Sequence, residues 1–217
     1  MRSYSQYCSL AKALDVVGER WTLLIVRELM LRGPSRYTDL RAGLPGIATN
    51  LLADRLRQLE AAGLVHREEA PPPVATTLFA LTERGRQLRP AIDALMTWGL
   101  PLMVDPGGDD VYRTHWLAGP AEALLVDSDP DGPPLQIEVR AGDEPAVIDV
   151  AHGEVSVRLG AADEPDTVLS GEPRLVLGVV SGMMPLAQAE QLGLVLTGSR
   201  AALRRVRPVA RDEPAAA

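Results

Sequence analysis

Four successive stretches between Cys8 and Gly63 carry apolar residues at three- and four-residue spacing, each closes on glycine, and at Leu64 the pattern switches to alternation. CSLAKALDVVG and ERWTLLIVRELMLRG read as amphipathic helices with C-terminal glycine stops. SRYTDLRAGLPG reads as a short helix closed by Gly43, Pro45 and Gly46. In LPGIATNLLADRLRQLEAAGLVHRE, Leu56 and Leu59 each fall within about 40° of Leu52 at about 100° per residue, one buried stripe on a helix that Gly63 ends. LVHRE and TTLFALT alternate as strands do, and the prolines of EAPPPVA between them forbid helix and suit an extended hairpin tip. ERGRQLRPAIDALMTWGLPLM predicts one long amphipathic helix, with Pro90 tolerated early or bending it.

Two short helices joined by a glycine-containing turn and followed by a two-stranded hairpin make the winged form of the helix-turn-helix, whose second helix enters the DNA major groove. If the leucine stripe of that helix is inside, Asn50, Ala53, Asp54 and Arg57 project outward together at i, i+3, i+4 and i+7. Asn bonds adenine and Arg bonds guanine through two atoms each, and small Ala53 permits close approach. Asp54 suits either a cytosine amino group or the orientation of Arg57. Arg36, Arg55 and Arg67 lie around this face and suit phosphates, which fix register without reading sequence. Ordinary solvated residues would populate the same face, so the order of elements carries the reading.

The formal charge of −7 conceals a division. Residues 1–100 hold 13 Lys and Arg against 10 Asp and Glu, and the remaining residues 9 against 19, so only the first part suits a polyanion. Composition shifts at LPLMVDPGGDDVY, which sets an expected boundary near residue 107 between a domain over 1–106 and one over 107–217. No apolar run reaches the roughly 18 residues a bilayer requires and the first residues lack a secretory apolar stretch, so no membrane partner and a cytoplasmic address are expected. Cys8 is the one cysteine, which excludes an intrachain disulfide and a cysteine-rich zinc site. His66, His115 and His152 stand far apart without metal-ligand spacing, and neither metal nor cofactor is expected. The chain has no GxSxG, HExxH, Walker or GxGxxG spacing, and the expectation is that it is not an enzyme.

In the second part, VYRTHWLAGPAEALLV reads as helix broken by Gly119 and Pro120. PLQIEVRAG, PAVIDVAHG and EVSVRLGA read as an antiparallel meander with a tight turn at AHGE, and DTVLSG as a further strand. PRLVLGVVSG and PLAQAEQLG read as helices, GLVLTG as a strand and SRAALRRVRPV as a closing helix capped by Ser199. The class is α+β, a mainly-α winged helix-turn-helix followed by a smaller α+β sheet domain.

CSLAKALDVVGERWTLLIVREL, GPSRYTDLRAGLPGI, LADRLRQLEAAGLVHRE and LTERGRQLRPAIDALMTWG together resemble the HxlR-type winged helix-turn-helix regulators over residues 8 to about 103. The resemblance implies a regulator that dimerises through its first and last helices on a roughly palindromic site in double-stranded DNA. Two departures stand out. Ala48 replaces the serine that often caps the recognition helix, so Thr49 or Asn50 is expected to take over the cap, and Leu78 replaces an acidic residue before Phe79. In some family members a cysteine placed like Cys8 senses oxidants or electrophiles, while a small residue packing a dimer is the alternative.

DEPDTVLSGEPRLVLGVVSGMMPLAQAEQLGLVLTGSRAALRRV is similar to the sterol-carrier-protein-like (type two) domain, which implies an apolar tunnel between sheet and helices. Leu135, Ile137, Val139, Leu177, Val180, Met183, Met184 and Leu196 are the candidate lining, and a filled core is the alternative. Trp98 and Trp116 fit either that lining or simple packing between the modules, and Arg204, Arg205 and Arg207 are expected to form a solvated basic face or to meet a carboxylate. The combined reading is a homodimeric repressor whose second domain senses a hydrophobic small molecule. Its rival is a lipid-binding or carrier protein that uses the winged helix for protein contacts.

Overall fold

A computed structural model describes residues 3–70, 76–103 and 110–208. The expected boundary near residue 107 and the proline-rich hairpin tip lie outside them. Contacts group the chain into two compact units, Met1–Ala94 and Leu95–Ala217.

In the first unit the four glycine-stopped runs are α1 (Ser9–Val17), α2 (Thr22–Arg32), α3 (Tyr37–Ala42) and α4 (Thr49–Ala61). The hairpin follows as β1 (Val65–Glu69) and β2 (Thr77–Leu81), paired antiparallel from Val65 opposite Leu81 to Glu69 opposite Thr77. Leu78 pairs opposite Glu68, and the ladder runs through it unbroken. A bridge between Ser35 and Phe79 adds a third, one-residue strand that the sequence did not suggest. Ile25, Leu40, Leu52, Leu56 and Leu59 form the fully buried centre, so α4 turns its leucine stripe inward as its spacing requires.

Two glycines between α2 and α4 are fixed for different reasons. Gly46 has φ of 85°, a left-handed conformation that turns the chain into α4 and that a side chain disfavours. Gly43 is right-handed, but a Cβ there would overlap the carboxylate of Glu28. Glu28 is 0% exposed and accepts from Arg27 Nη2 at 2.6 Å, with Arg32 Nε at 3.5 Å.

The single helix expected after the hairpin is instead α5 (Glu83–Arg86), α6 (Arg89–Gly99) and a 3₁₀ turn over Leu100–Met103. Leu88 N–H donates to the Gly85 carbonyl, three residues back, which tightens and closes α5. Pro90 then occupies the second position of α6, where a missing N–H leaves no bond unmade. Thr82 anchors this junction: its Oγ1 accepts from Gly85 N–H and donates to the Gly63 carbonyl at 2.7 Å.

The second unit contains a five-stranded sheet of β4 (Leu135–Arg140), β5 (Ala146–Ala151), β6 (Glu154–Leu159), β7 (Thr167–Ser170) and β8 (Val195–Gly198), in the order β6-β5-β4-β7-β8. β4, β5 and β6 form the expected antiparallel meander, but β7 lies parallel to β4 on its far side. Residues 160–166 make that crossing, held by Ala162 N–H donating to Glu138 at 2.9 Å and Asp166 N–H donating to the Gln136 carbonyl. This explains how Glu138, on the polar side of a strand, comes to be 0% exposed. Leu135, Ile137 and Val139 point to the opposite face and pack with residues of α7 (Ala118–Leu124), α8 (Pro173–Val180), α9 (Leu186–Gln191) and α10 (Arg200–Arg205).

Two expectations need correction here. Gly119 and Pro120 do not break a helix; they lie in the first turn of α7, where proline is tolerated, behind a 3₁₀ turn over Thr114–Leu117. The closing helix stops at Arg205, and the residues after it form β9 (Val206–Pro208), antiparallel to β3 (Leu125–Asp127), which had been read as helix. Among the described residues no helix is long and apolar enough to cross a membrane.

Candidate nucleic-acid interface

Ala48 is the residue before α4, with extended φ and ψ and no side-chain cap, so Thr49 and Asn50 are the first two helical residues and neither takes over the cap. The first N–H groups of α4 therefore meet no side-chain acceptor at the cap, and a helix start of this kind favours an anion. Tyr37 steadies the same point: its hydroxyl donates to the Thr49 carbonyl at 2.7 Å. Asn50, Asp54 and Arg57 are exposed and Ala53 is half-buried, on the flank opposite the buried Leu52, Leu56 and Leu59. Arg57 Nη2 donates to Asp54 Oδ1, with 68% and 52% of the two side chains exposed.

The arginines around this flank divide. Arg36 is exposed and lines an open cleft of about 300 Å3 with Tyr37, Thr38, Arg67, Thr77 and Phe79, between the start of α3 and the hairpin. Arg67 spans Glu60 with two bonds of 2.8 and 3.0 Å and stacks its guanidinium 5.3 Å from the Phe79 ring centre, so its position is set from two sides. Arg55 is turned away from the cluster it was expected to join. Its Nη2 donates to Glu19 at 2.9 Å and its Nη1 to Gln58 at 2.6 Å, which ties α4 to the segment before α2. Thr38 and Thr77, which the sequence did not single out, enter the cleft only because the Ser35–Phe79 bridge draws α3 toward β2.

Cys8 is exposed immediately before α1, where its carbonyl accepts from Lys12 N–H. Nearby, the backbone N–H of Tyr4 and then the hydroxyl of Ser3 hold the Asp15 carboxyl below its ordinary range. Tyr7, Leu10 and Leu14 leave the outer side of α1 apolar and exposed.

In the second unit the candidate lining residues pack into or against the core of the sheet, apart from Met183. Leu135, Ile137, Val139 and Val180 are core residues, Leu177, Met184 and Leu196 pack half-buried against that core, and Met183 is 39% exposed. Trp98, 72% exposed, is a surface residue, and Trp116 lies edge-on to His115 with ring centres 5.8 Å apart. Arg205 is not part of a solvated face. It is buried, donating to Asp127 through Nε at 2.6 Å and Nη2 at 2.8 Å, and to the Pro133 carbonyl through Nη1. The bond from Arg205 brings the Asp127 carboxyl down to about 2. Burial pushes the Tyr112 phenol well above its ordinary value, with Asp143 adding to it. Among the described residues no group of three His, Cys, Asp or Glu is placed to hold a metal ion.

Short helices turning through Gly46, an exposed polar flank on the second of them and a paired hairpin behind it define a winged helix-turn-helix, the architecture of a DNA-binding transcriptional regulator. The family model for the HxlR-like helix-turn-helix matches residues 16–104. An uncharacterized HTH-type transcriptional regulator of Bacillus subtilis (strain 168), YvaP, is 34% identical over 95 residues, covering 44% of this chain and 86% of that protein. One from Mycobacterium tuberculosis (strain ATCC 25618 / H37Rv) is 40% identical over 111 residues, covering 51% and 69%. The solved reduced form of the transcriptional regulator YodB from B. subtilis matches at 30% identity over 43% of this chain and 92% of that one, with a TM-score of 0.39. This chain belongs to the HxlR-like helix-turn-helix family and is a transcriptional regulator with a helix-turn-helix DNA-binding domain.

Proposed function

We propose that the protein is a homodimeric repressor in which α4 reads an operator in double-stranded DNA and the second unit responds to a hydrophobic small molecule. The observation that carries this reading is the uncapped start of α4, beside which Asn50, Ala53, Asp54 and Arg57 share one outward flank. Asn50 and Arg57 take base edges, with Asp54 holding Arg57 in the free protein and Ala53 leaving room for the groove floor. Thr49 at the helix start, and Arg36 and Arg67 in the cleft beside the hairpin, take phosphates. Arg55, committed to Glu19, sets the angle of the helix rather than touching DNA. The exposed apolar side of α1, and Leu95 and Trp98 on α6, are surfaces of the kind a second copy covers. Dimer geometry would set the two recognition helices about 34 Å apart, and a ligand that favours one orientation would be reciprocally coupled to DNA. Cys8, exposed and without a second cysteine in the chain, would under an oxidant link two chains and so alter the same geometry.

Support for a ligand-responsive second unit is the order β7, α8, α9, β8, α10, which is that of the sterol-carrier-like resemblance, with Leu177 and Met184 half-buried at the edge of the core. Duplexes selected from a random pool by the full chain, then titrated with Asn50→Ala and Arg57→Ala, test the base-reading assignment. Each variant is expected to lose roughly 5- to 150-fold in affinity for the selected sequence and little for unrelated DNA. Unchanged affinity in both variants would sink it.

A further inference from the structure

The inner face of the sheet is occupied by core side chains, but an open depression of about 440 Å3 lies at the beginning of β4, between Pro133, Pro134 and α10. Sites for small molecules span roughly 300–1,000 Å3. The buried side chains of Leu135 and Ala202 form part of its lining, and Arg204, Arg205 and Arg207 supply cations to it.

These cations are not equivalent. Arg205 is nine-tenths buried and already neutralised by Asp127, and its remaining bonds run to the carbonyls of Pro133 and Gly132, so it gives the depression a rigid polar wall. Arg204 and Arg207 are exposed and form no ion pair among the described residues; Arg207 Nε donates only to the Arg204 carbonyl, at 3.2 Å. Two acids also line the depression. Asp166 accepts the Gln136 N–H at 2.8 Å, and Asp129 stands close enough to Arg205 to favour its charge. What remains is a half-apolar cup bearing two guanidinium groups that have no ion-pair partner among the described residues, and guanidinium is the side chain that holds a carboxylate through two parallel bonds.

We infer that this depression binds the anionic end of a small amphipathic acid, with Arg204 and Arg207 holding its carboxylate and Leu135 and Ala202 receiving the first carbons of its apolar body. The inference rests on the reading of the second unit as a sensor of hydrophobic small molecules and adds a charged end to the ligand. It moves recognition from the packed interior of the sheet to its rim.

Calorimetric titration of the full chain with decanoate and with decanol, both below their aggregation limits, tests it. Decanoate is expected to bind roughly tenfold more tightly than decanol. The combined variant Arg204→Gln, Arg207→Gln is expected to lose that advantage while holding decanol as the wild type does. Asp129→Asn, which removes a like charge, is expected to bind decanoate more tightly. Decanol bound as well as decanoate, or decanoate bound equally by the double variant, would overturn the anionic site and leave the hydrophobic-effector reading standing. Binding of neither alcohol nor acid would overturn both.

Discussion

Arg57 with Asp54 on the recognition helix and Arg205 with Asp127 at the junction of β3 and α10 are the same chemical pair in opposite surroundings. More than half of each side chain of the first pair is in water, whereas the second pair is 9% and 0% exposed. A solvated pair is worth little and opens readily, as the proposed base contact of Arg57 requires. A desolvated pair must stay whole, because removing one member leaves a buried charge without a partner. The difference teaches that the role of the arginine in each pair is set by what covers it, not by its charge: Arg57 is free to leave its partner, and Arg205 holds β3 to α10.

The largest expected effect of breaking this comparison is on the buried pair. Arg205→Ala should lower the melting midpoint of the second unit by roughly 10 °C or more, read by calorimetry, while selected DNA remains bound at low temperature. If melting were unchanged, the two pairs would not differ in kind. Acid should act next and in the same place. The Asp127 carboxyl titrates at about 2 in the fold against roughly 3.9 in an unfolded chain, so its contribution is complete above the unfolded value and is lost as pH falls from about 4 toward 2. Glu138 adds to this: burial alone would raise it, but Ala162 N–H and Arg140 together hold it low. Thermal melts at pH 7 and pH 3 should therefore differ in wild type and differ less in Asp127→Asn.

Arg55 provides an intermediate case, its side chain 14% exposed and bonded to a Glu19 that is 47% exposed. Arg55→Ala should cost about 0.5–1 kcal/mol in denaturant unfolding and should weaken DNA of every sequence alike, because it changes the setting of α4 rather than a base contact. Loss of sequence preference in that variant would instead give Arg55 a base contact. The smallest expected effect belongs to Asp54→Asn: stability within about 0.5 kcal/mol of wild type, with a modest change in preference at the base pair proposed to meet Arg57. A stability loss as large as that of Arg205→Ala would erase the distinction drawn here.

Local pattern accounts for what was legible beforehand. Glycine stops and three- and four-residue spacing delimit α1 to α4, and alternation delimits β1, β2 and β4 to β8, because each is decided by neighbours within a few residues. β3 and β9 are three-residue strands paired across the length of the second unit, too short to carry a period. Arg205 finds Asp127 78 residues away, and Arg55 finds Glu19 36 residues away, so both look in sequence like further members of a basic surface. Gly43 was legible as a helix stop, but its need for glycine comes from the Glu28 carboxylate on α2 and is invisible without the fold. The outward flank of α4 was readable from spacing alone. The cleft shared by Arg36, Thr38 and Thr77 lies beside the bridge from Ser35 to Phe79, 44 residues apart in the chain, and was not.

The pairing of β3 with β9, fastened by Arg205 to Asp127, has a consequence for biosynthesis. All residues of the DNA-reading unit have been made before the second unit is half synthesised, and domains of this kind fold as they emerge from the ribosome. The second unit must wait, since β9, which pairs with β3, is translated after every strand of the five-stranded sheet. During that interval a nascent chain already carries a finished α4 while its second unit is still unclosed.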